Sequence, residues 1–200
     1  AIVNGSIFTL GRSKGKVRLV CRSTADGSER WATELGSGGE PNATPTVDGD
    51  AVLAITREGK LVCATVATGE VVWTRDFVAE FSGSVPTWGY SESPLAEGGL
   101  VICTPGADDA LMVALDRATG ETVWKSTLPD EMQNKGHLGA GYSSPVVSHA
   151  AGVHHYVQMF GGGVIGVAAA DGATLWGYSR VANGTAVIPT PIVQDDFVFA

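Results

Sequence analysis

Three aromatic rings, one carboxylate and a set of hydroxyls and amides gather in four short stretches of this 200-residue chain. The stretches are 41–45 (PNATP), 88–94 (WGYSESP), 141–145 (GYSSP) and 183–191 (NGTAVIPTP). Trp88, Tyr90 and Tyr142 suit stacking on a planar ring or a sugar. Glu92 is the only carboxylate in the set, and so the candidate for a general base or a cation ligand. Ser91, Ser143, Asn42, Asn183 and Thr185 supply hydrogen-bonding groups. A plainer reading stands beside this one: such groups also close contacts between structural elements and satisfy backbone donors and acceptors.

Other chemistry-bearing residues are sparser. His154 and His155 open an apolar run, so a strand there sends the two imidazoles to opposite faces, where they cannot easily share one metal. His137 sits in a polar loop, 129–138, beside Asp130 and Glu131. Cys21, Cys63 and Cys103 lie in apolar runs, as buried free thiols do. No nucleophile elbow, zinc-protease helix motif or phosphate-binding loop occurs. No metal site is assigned from sequence.

The elements that must position these groups are set by a repeat. Trp31, Trp73, Trp124 and Trp176 each stand four residues after a glycine, in DGSERW, TGEVVW, TGETVW and DGATLW. Their spacings are 42, 51 and 52 residues, and a regular period of this size marks a repeat architecture. Gly27, Gly69, Gly120 and Gly172 suit the positive φ of a tight turn. The β-branched and aromatic residues that follow suit a strand. Apolar runs such as 61–64 (LVCA) and 111–115 (LMVAL) precede each turn, and Pro-led runs with short polar turns lie further upstream. Each repeat therefore reads as four short antiparallel strands with no amphipathic helix, the blade of a β-propeller. The tryptophans end the outer strands and are expected to pack between neighbouring blades. A buried Trp contributes about 4–6 kcal/mol before entropy is deducted.

The expected class is all-β. The blades span approximately 1–35, 41–77, 90–128 and 141–180, with a fifth beginning at 185–200. Four and a half blades of a seven- or eight-bladed ring are expected, the chain starting and stopping inside the pattern. With 27 glycines, 9 prolines and 17% charged residues, the composition agrees. No run approaches the ~18 apolar residues of a membrane-spanning helix. The formal charge of −8 disfavours nucleic acid, because no basic stripe is available to neutralise phosphates.

The segment 114–124, ALDRATGETVW, resembles the tryptophan-docking repeat A-x-D-x-x-T-G-x-x-x-W of pyrroloquinoline quinone (PQQ)-like repeat propellers. Asp116 fills the aspartate position there; Ser23, Thr65 and Ala168 replace it in the other repeats, while the Gly and Trp persist in all four. The resemblance covers essentially the whole chain. It implies a propeller of the quinoprotein alcohol dehydrogenase-like class, and for function it implies three groups. Some members are dehydrogenases that oxidise alcohols, sugars or polyvinyl alcohol with PQQ and Ca²⁺. One is the non-enzymatic lipoprotein of the outer-membrane β-barrel assembly machinery, which binds partner proteins. Others have no assigned ligand. One enzyme subgroup caps its cofactor with two vicinal cysteines, a pair this sequence lacks.

The expected function is a binding or scaffold domain, engaging a small molecule or protein partner at the propeller face. The alternative is part of a PQQ-dependent dehydrogenase with Glu92 as its base. The resemblance also implies a periplasmic or cell-envelope location.

Overall fold

The computed structural model describes residues 1–132, 139–182 and 184–200. Its strands form successive antiparallel sheets, each built from one continuous stretch of chain. The first contains β1 (Ile2–Val3), β2 (Ser6–Ser13), β3 (Lys16–Ser23) and β4 (Glu29–Ser37). The second contains β5 (Thr46–Asp48), β6 (Ala51–Ile55), β7 (Lys60–Thr65) and β8 (Val71–Asp76). The third contains β9 (Leu95–Glu97), β10 (Leu100–Cys103), β11 (Val113–Asp116) and β12 (Thr122–Lys125). The fourth contains β13 (Val146–Ser148), β14 (His155–Phe160), β15 (Gly163–Ala168) and β16 (Thr174–Tyr178). A further pair is β17 (Ile192–Gln194) and β18 (Phe197–Phe199). Strand order within every sheet follows chain order. The first strands of neighbouring sheets crowd together, β5 beside β9 and β13 beside β17. This is the radial arrangement of propeller blades.

The middle strands are largely apolar, and β6 (AVLAI), β10 (LVIC) and β15 (GVIGVA) wholly so, because both of their faces are covered. In β6, Val52 and Ala54 join Phe8, Leu19 and Cys21 of the first sheet. Leu53 and Ile55, pointing the other way, join Val101, Val113 and Leu115 of the third. Period-2 alternation thus feeds two cores from one strand. The same occurs in the fourth sheet: Tyr156 and Ile165 pack toward the third, Val157 and Val164 toward the fifth. The fourth strands form the half-exposed rim, as the alternating exposure of β8 shows.

The glycine turns place each tryptophan against the next blade. Trp31 donates its indole N–H to the Val66 carbonyl (3.0 Å), Trp73 to that of Arg117 (2.9 Å) and Trp124 to that of Ala169 (3.1 Å). The rings lie so close to Gly69, Gly120 and Gly172 that an added Cβ would come within 2.5, 2.7 and 2.6 Å of them. These glycines and Gly27 share a left-handed φ of 72–77°. Each donates its N–H to the carbonyl four residues earlier, on Ser23, Thr65, Asp116 or Ala168. The backbone turn therefore survives substitution of the aspartate. Asp116 adds bonds from the Ala118 and Thr119 N–H groups (2.9 and 2.8 Å), which hold its carboxyl below the usual range. Trp176 packs within its own sheet, against Gly166 and edge-on to His155.

Two features go beyond the sequence reading. A β-bulge falls immediately before the tryptophan in each of the four sheets, leaving Arg30, Val72, Val123 and Leu175 as the extra residue. The bulge locally increases twist; in the first three sheets the indole that follows it reaches the next blade, whereas Trp176 stays against its own sheet. Where no helix was expected, a short one, α1 (Phe77–Phe81), follows β8. Asp76 caps it through its Val78 and Ala79 N–H groups, and Phe77 and Phe81 are buried. Five residues are too few to display helical periodicity, which is why the sequence pattern hides it.

Gly120→Ala forces both a left-handed alanine and a collision with Trp73. It is expected to lower unfolding free energy in urea by about 3 kcal/mol or more. Gly98→Ala, at φ +59° with nothing within 4 Å of the new Cβ, is expected to show the backbone cost alone, about 1–2 kcal/mol.

Candidate functional site

The stretches that lead into the first strand of each sheet lie at one end of the blades, and their hydroxyls stitch those blades sideways. Thr46 Oγ1 donates to the Pro94 carbonyl (2.6 Å), Ser93 N–H to Ser144 Oγ (2.9 Å), and Ser144 N–H to Thr190 Oγ1 (3.2 Å). Asn42 Nδ2 donates to the Trp88 carbonyl (2.7 Å). Ser91 donates within its own turn, to the Gly89 carbonyl. For these groups the structure shows contact between and within segments.

Glu92 sits in a sealed polar cluster between the third and fourth sheets. It is 3% exposed. Its Oε1 accepts from the Thr104 N–H (2.7 Å), and Oε2 faces Gln158 Nε2 at 3.5 Å. Gln158, on β14, also donates to Thr104 Oγ1 (3.0 Å) and the Ser143 carbonyl (3.1 Å). Ser143 is buried too and donates its hydroxyl to the Met159 carbonyl (2.9 Å). Burial pushes the Glu92 carboxyl up to about 7, against the opposing pull of the Thr104 bonds. A general base must reach the proton it removes, and this carboxylate offers no such access. Both of its oxygens face N–H groups, of Thr104 and Gln158, and among the described residues no second carboxylate stands beside it as a calcium cage of oxygen ligands would need. The described residues at this position therefore do not fit a PQQ–Ca²⁺ centre. The cysteines add nothing toward one: Cys21, Cys63 and Cys103 are buried, unpaired and on three different sheets.

Tyr90 is a core residue. It is fully buried, donates its hydroxyl to the Pro105 carbonyl (2.9 Å), and packs edge-on against Phe77 at 5.3 Å. It presents no face to a ligand. Trp88 and Tyr142 behave differently. Their rings meet at 5.6 Å and 59°, and Trp88 is 50% exposed. Arg57 braces the Trp88 segment from the β6–β7 turn through the carbonyls of Thr87 and Trp88 (both 3.3 Å). Beside this pair lies a cavity of about 280 Å³, walled by Val85, Pro86, Thr87, Ala140, Tyr142 and Thr185 among others. Val85 and Ile188, 47% and 64% exposed, extend the apolar surface along the same segments. Of the sequence candidates, then, Trp88, Tyr142 and Thr185 come together, while Glu92, Ser143 and Tyr90 are drawn inside. Asn183 and His137 lie outside the described residues.

Sequence reasoning missed 84–87 and 139–140, the latter just ahead of the 141–145 stretch it had picked out. Their signal was present: the connection from β8 to β9 is far longer than a blade crossing needs, and 139–141 (GAG) carries no side chain bulkier than methyl.

A family model described as outer membrane protein assembly factor BamB matches residues 13–200. The chain belongs to the BamB family. A BamB from Shewanella oneidensis is 24% identical over 96% of this chain and 44% of its own length. One from Alteromonas naphthalenivorans is 28% identical over 52% of this chain and 28% of its own. The chain thus spans less than half the length of these curated relatives. Its fold is similar to the crystal structure of BamB from Moraxella catarrhalis, with a TM-score of 0.61 at 24% identity over 88% of this chain and 51% of that one. It is also similar to a quinohemoprotein alcohol dehydrogenase from Pseudomonas putida, with a TM-score of 0.58 at 17% identity over 86% and 34%. The fold is therefore shared by an assembly factor and by oxidoreductases, and fold does not choose between them.

The raised Glu92 carboxyl makes a signed prediction. The folded state binds a proton that the unfolded state releases near pH 4.5, so stability falls as pH rises from there to about 7 and then levels off. The loss is about 3 kcal/mol. Glu92→Gln is expected to match the parent near pH 5 in urea unfolding and to exceed it at pH 8. Equal pH slopes in the two proteins would contradict a dry carboxyl.

Proposed function

We propose that this chain is the protein-binding part of a BamB-like propeller that acts in outer membrane protein assembly, at the cell envelope, and that it engages its partner through the Trp88–Tyr142 face. The observation that carries this reading is the half-exposed Trp88 stacked at an angle on Tyr142 beside the cavity. Trp and Tyr are the side chains that most often dominate protein interfaces. The cavity's 280 Å³ lies just below the ~300–1,000 Å³ usual for small-molecule and cofactor pockets. It suits one inserted side chain better than a cofactor. The bracing of Trp88 by Arg57 and Asn42 fixes its segment before a partner arrives, which lowers the ordering cost of association.

The membership of the family and the names of the relatives support the assembly setting. The internal position of Glu92 supports binding over dehydrogenation, because the segments otherwise hold no carboxylate to serve as a base. Among the described residues no helix is long and apolar enough to cross a membrane.

The test uses the intact protein and detergent-solubilised outer membranes from its source. Trp88→Ala and Tyr142→Ala are expected to fold normally by circular dichroism. Each should weaken capture of the other outer membrane assembly factors, at a cost of about 2 kcal/mol or more for a central aromatic. Undiminished capture by a folded Trp88→Ala protein would refute the assigned face. Quinone-dependent oxidation of an alcohol or sugar by the intact protein would refute the non-enzymatic reading.

A further inference from the structure

At the opposite ends of the blades from the Trp88 face, the turns between first and second strands bring together three side chains from two sheets. Glu97 ends β9 in the third sheet. His149 and His154 flank the turn between β13 and β14 in the fourth. His154 Nε2 is 3.0 Å from Glu97 Oε2. The His149 and His154 rings stack at 4.6 Å with 23° between their planes. One ligand atom from each residue lies within 4.8 Å of the other two, and among the described residues this is the one such group.

We propose that Glu97, His149 and His154 form a binding site for a borderline divalent transition metal, with Zn²⁺ as the representative ion, joining the third and fourth blades. Two imidazoles and a carboxylate are the donor set such ions take, and bonds of about 2.0–2.1 Å put tetrahedral ligands about 3.3 Å apart. The His154–Glu97 pair at 3.0 Å is already near that separation; the exposed His149 ring must turn out of its stack on His154 and close in, because the ligating lone pair lies in the ring plane. His149 and Glu97 stand on different blades, so the ion ties the third sheet to the fourth.

A supporting partner is in place. Tyr156, buried on β14, lies against Glu97 with its phenol as the donor available to that carboxylate. A hydrogen bond of this kind orients a ligating carboxylate. Its ring also meets that of His154 edge-on at 5.6 Å. Beside the cluster runs an open groove of about 570 Å³ walled by Leu100, Val153, Ala169 and Tyr156. Three protein ligands leave a fourth position for water on the exposed side of the cluster.

His155 takes no part. It is buried, and its Nδ1 lies 2.8 Å from the Val153 carbonyl. The adjacent histidines do face opposite ways, as alternation requires, yet His154 finds a second imidazole across the turn, in His149.

The experiment is calorimetric titration of the intact protein, stripped of metal, with Zn²⁺, repeated with Co²⁺ so that coordination is read from visible absorption. One ion per chain is expected, with imidazole resonances of His149 and His154 shifting together. Loss of a supporting hydrogen bond typically weakens a metal site by about 10–100-fold. Tyr156→Phe should fall in that range, and His149→Ala, His154→Ala and Glu97→Gln should each exceed it. The three ligand positions, Glu97, His149 and His154, are at least partly exposed, so their variants should keep the parent's circular dichroism spectrum. Absence of saturable binding would overturn the site, as would binding that survives Glu97→Gln and His149→Ala unchanged.

Discussion

Everything in this molecule hangs on the contact between an indole ring and a glycine turn of the next blade. A single four-stranded sheet has two apolar faces and cannot bury both alone. Docking the fourth-strand tryptophan onto the following turn sets the distance at which neighbouring sheets interleave their side chains. The ring covers the glycine at van der Waals range and its N–H satisfies a turn carbonyl, so one residue fixes spacing and orientation together. Any side chain at Gly69, Gly120 or Gly172 would push the blades apart. The bulges before Trp31, Trp73 and Trp124 belong to the same device, since they add twist at the point where the ring crosses the gap.

That geometry also decides what is left for function. Once spacing is fixed, the segments entering each blade are held side by side, and the Ser144 and Thr190 hydroxyls are consumed by lateral bonds. Buried polar groups must find partners, and among the described residues every buried side-chain polar atom has one. Glu92, Thr104, Gln158 and Ser143 are therefore internal mortar between the third and fourth sheets. What remains outward includes an aromatic and aliphatic patch of Trp88, Tyr142, Val85 and Ile188 among exposed hydroxyls such as Thr87 and Thr185. A surface of this kind, beside a small cavity, is suited to a protein side chain. The two ends of the blades differ accordingly, one apolar and aromatic, the other carrying imidazoles and a carboxylate.

The four glycine–tryptophan pairs were legible from sequence because the repeat encodes a local turn and its strand, and both are short-range. The apolar middle strands were legible for the same reason. The short helix after β8 and the bulges were not, since five residues and a one-residue insertion leave no periodic trace. Within the candidate site, residue type alone could not separate Tyr90 from Tyr142. Both follow a glycine and precede a serine. Tyr90 is buried against Phe77, from the helix the sequence hid; Tyr142 lies beside Trp88 at the surface.

The sequence by itself determined the strand pattern, the turns and the family, because these rest on contacts between residues near in the chain or repeated along it. Only the tertiary structure decided which side chains face solvent. Glu92 meets Gln158 across 66 residues, and Glu97 meets His154 across 57. Neither approach exists until the indole docking has fixed how far one blade stands from the next.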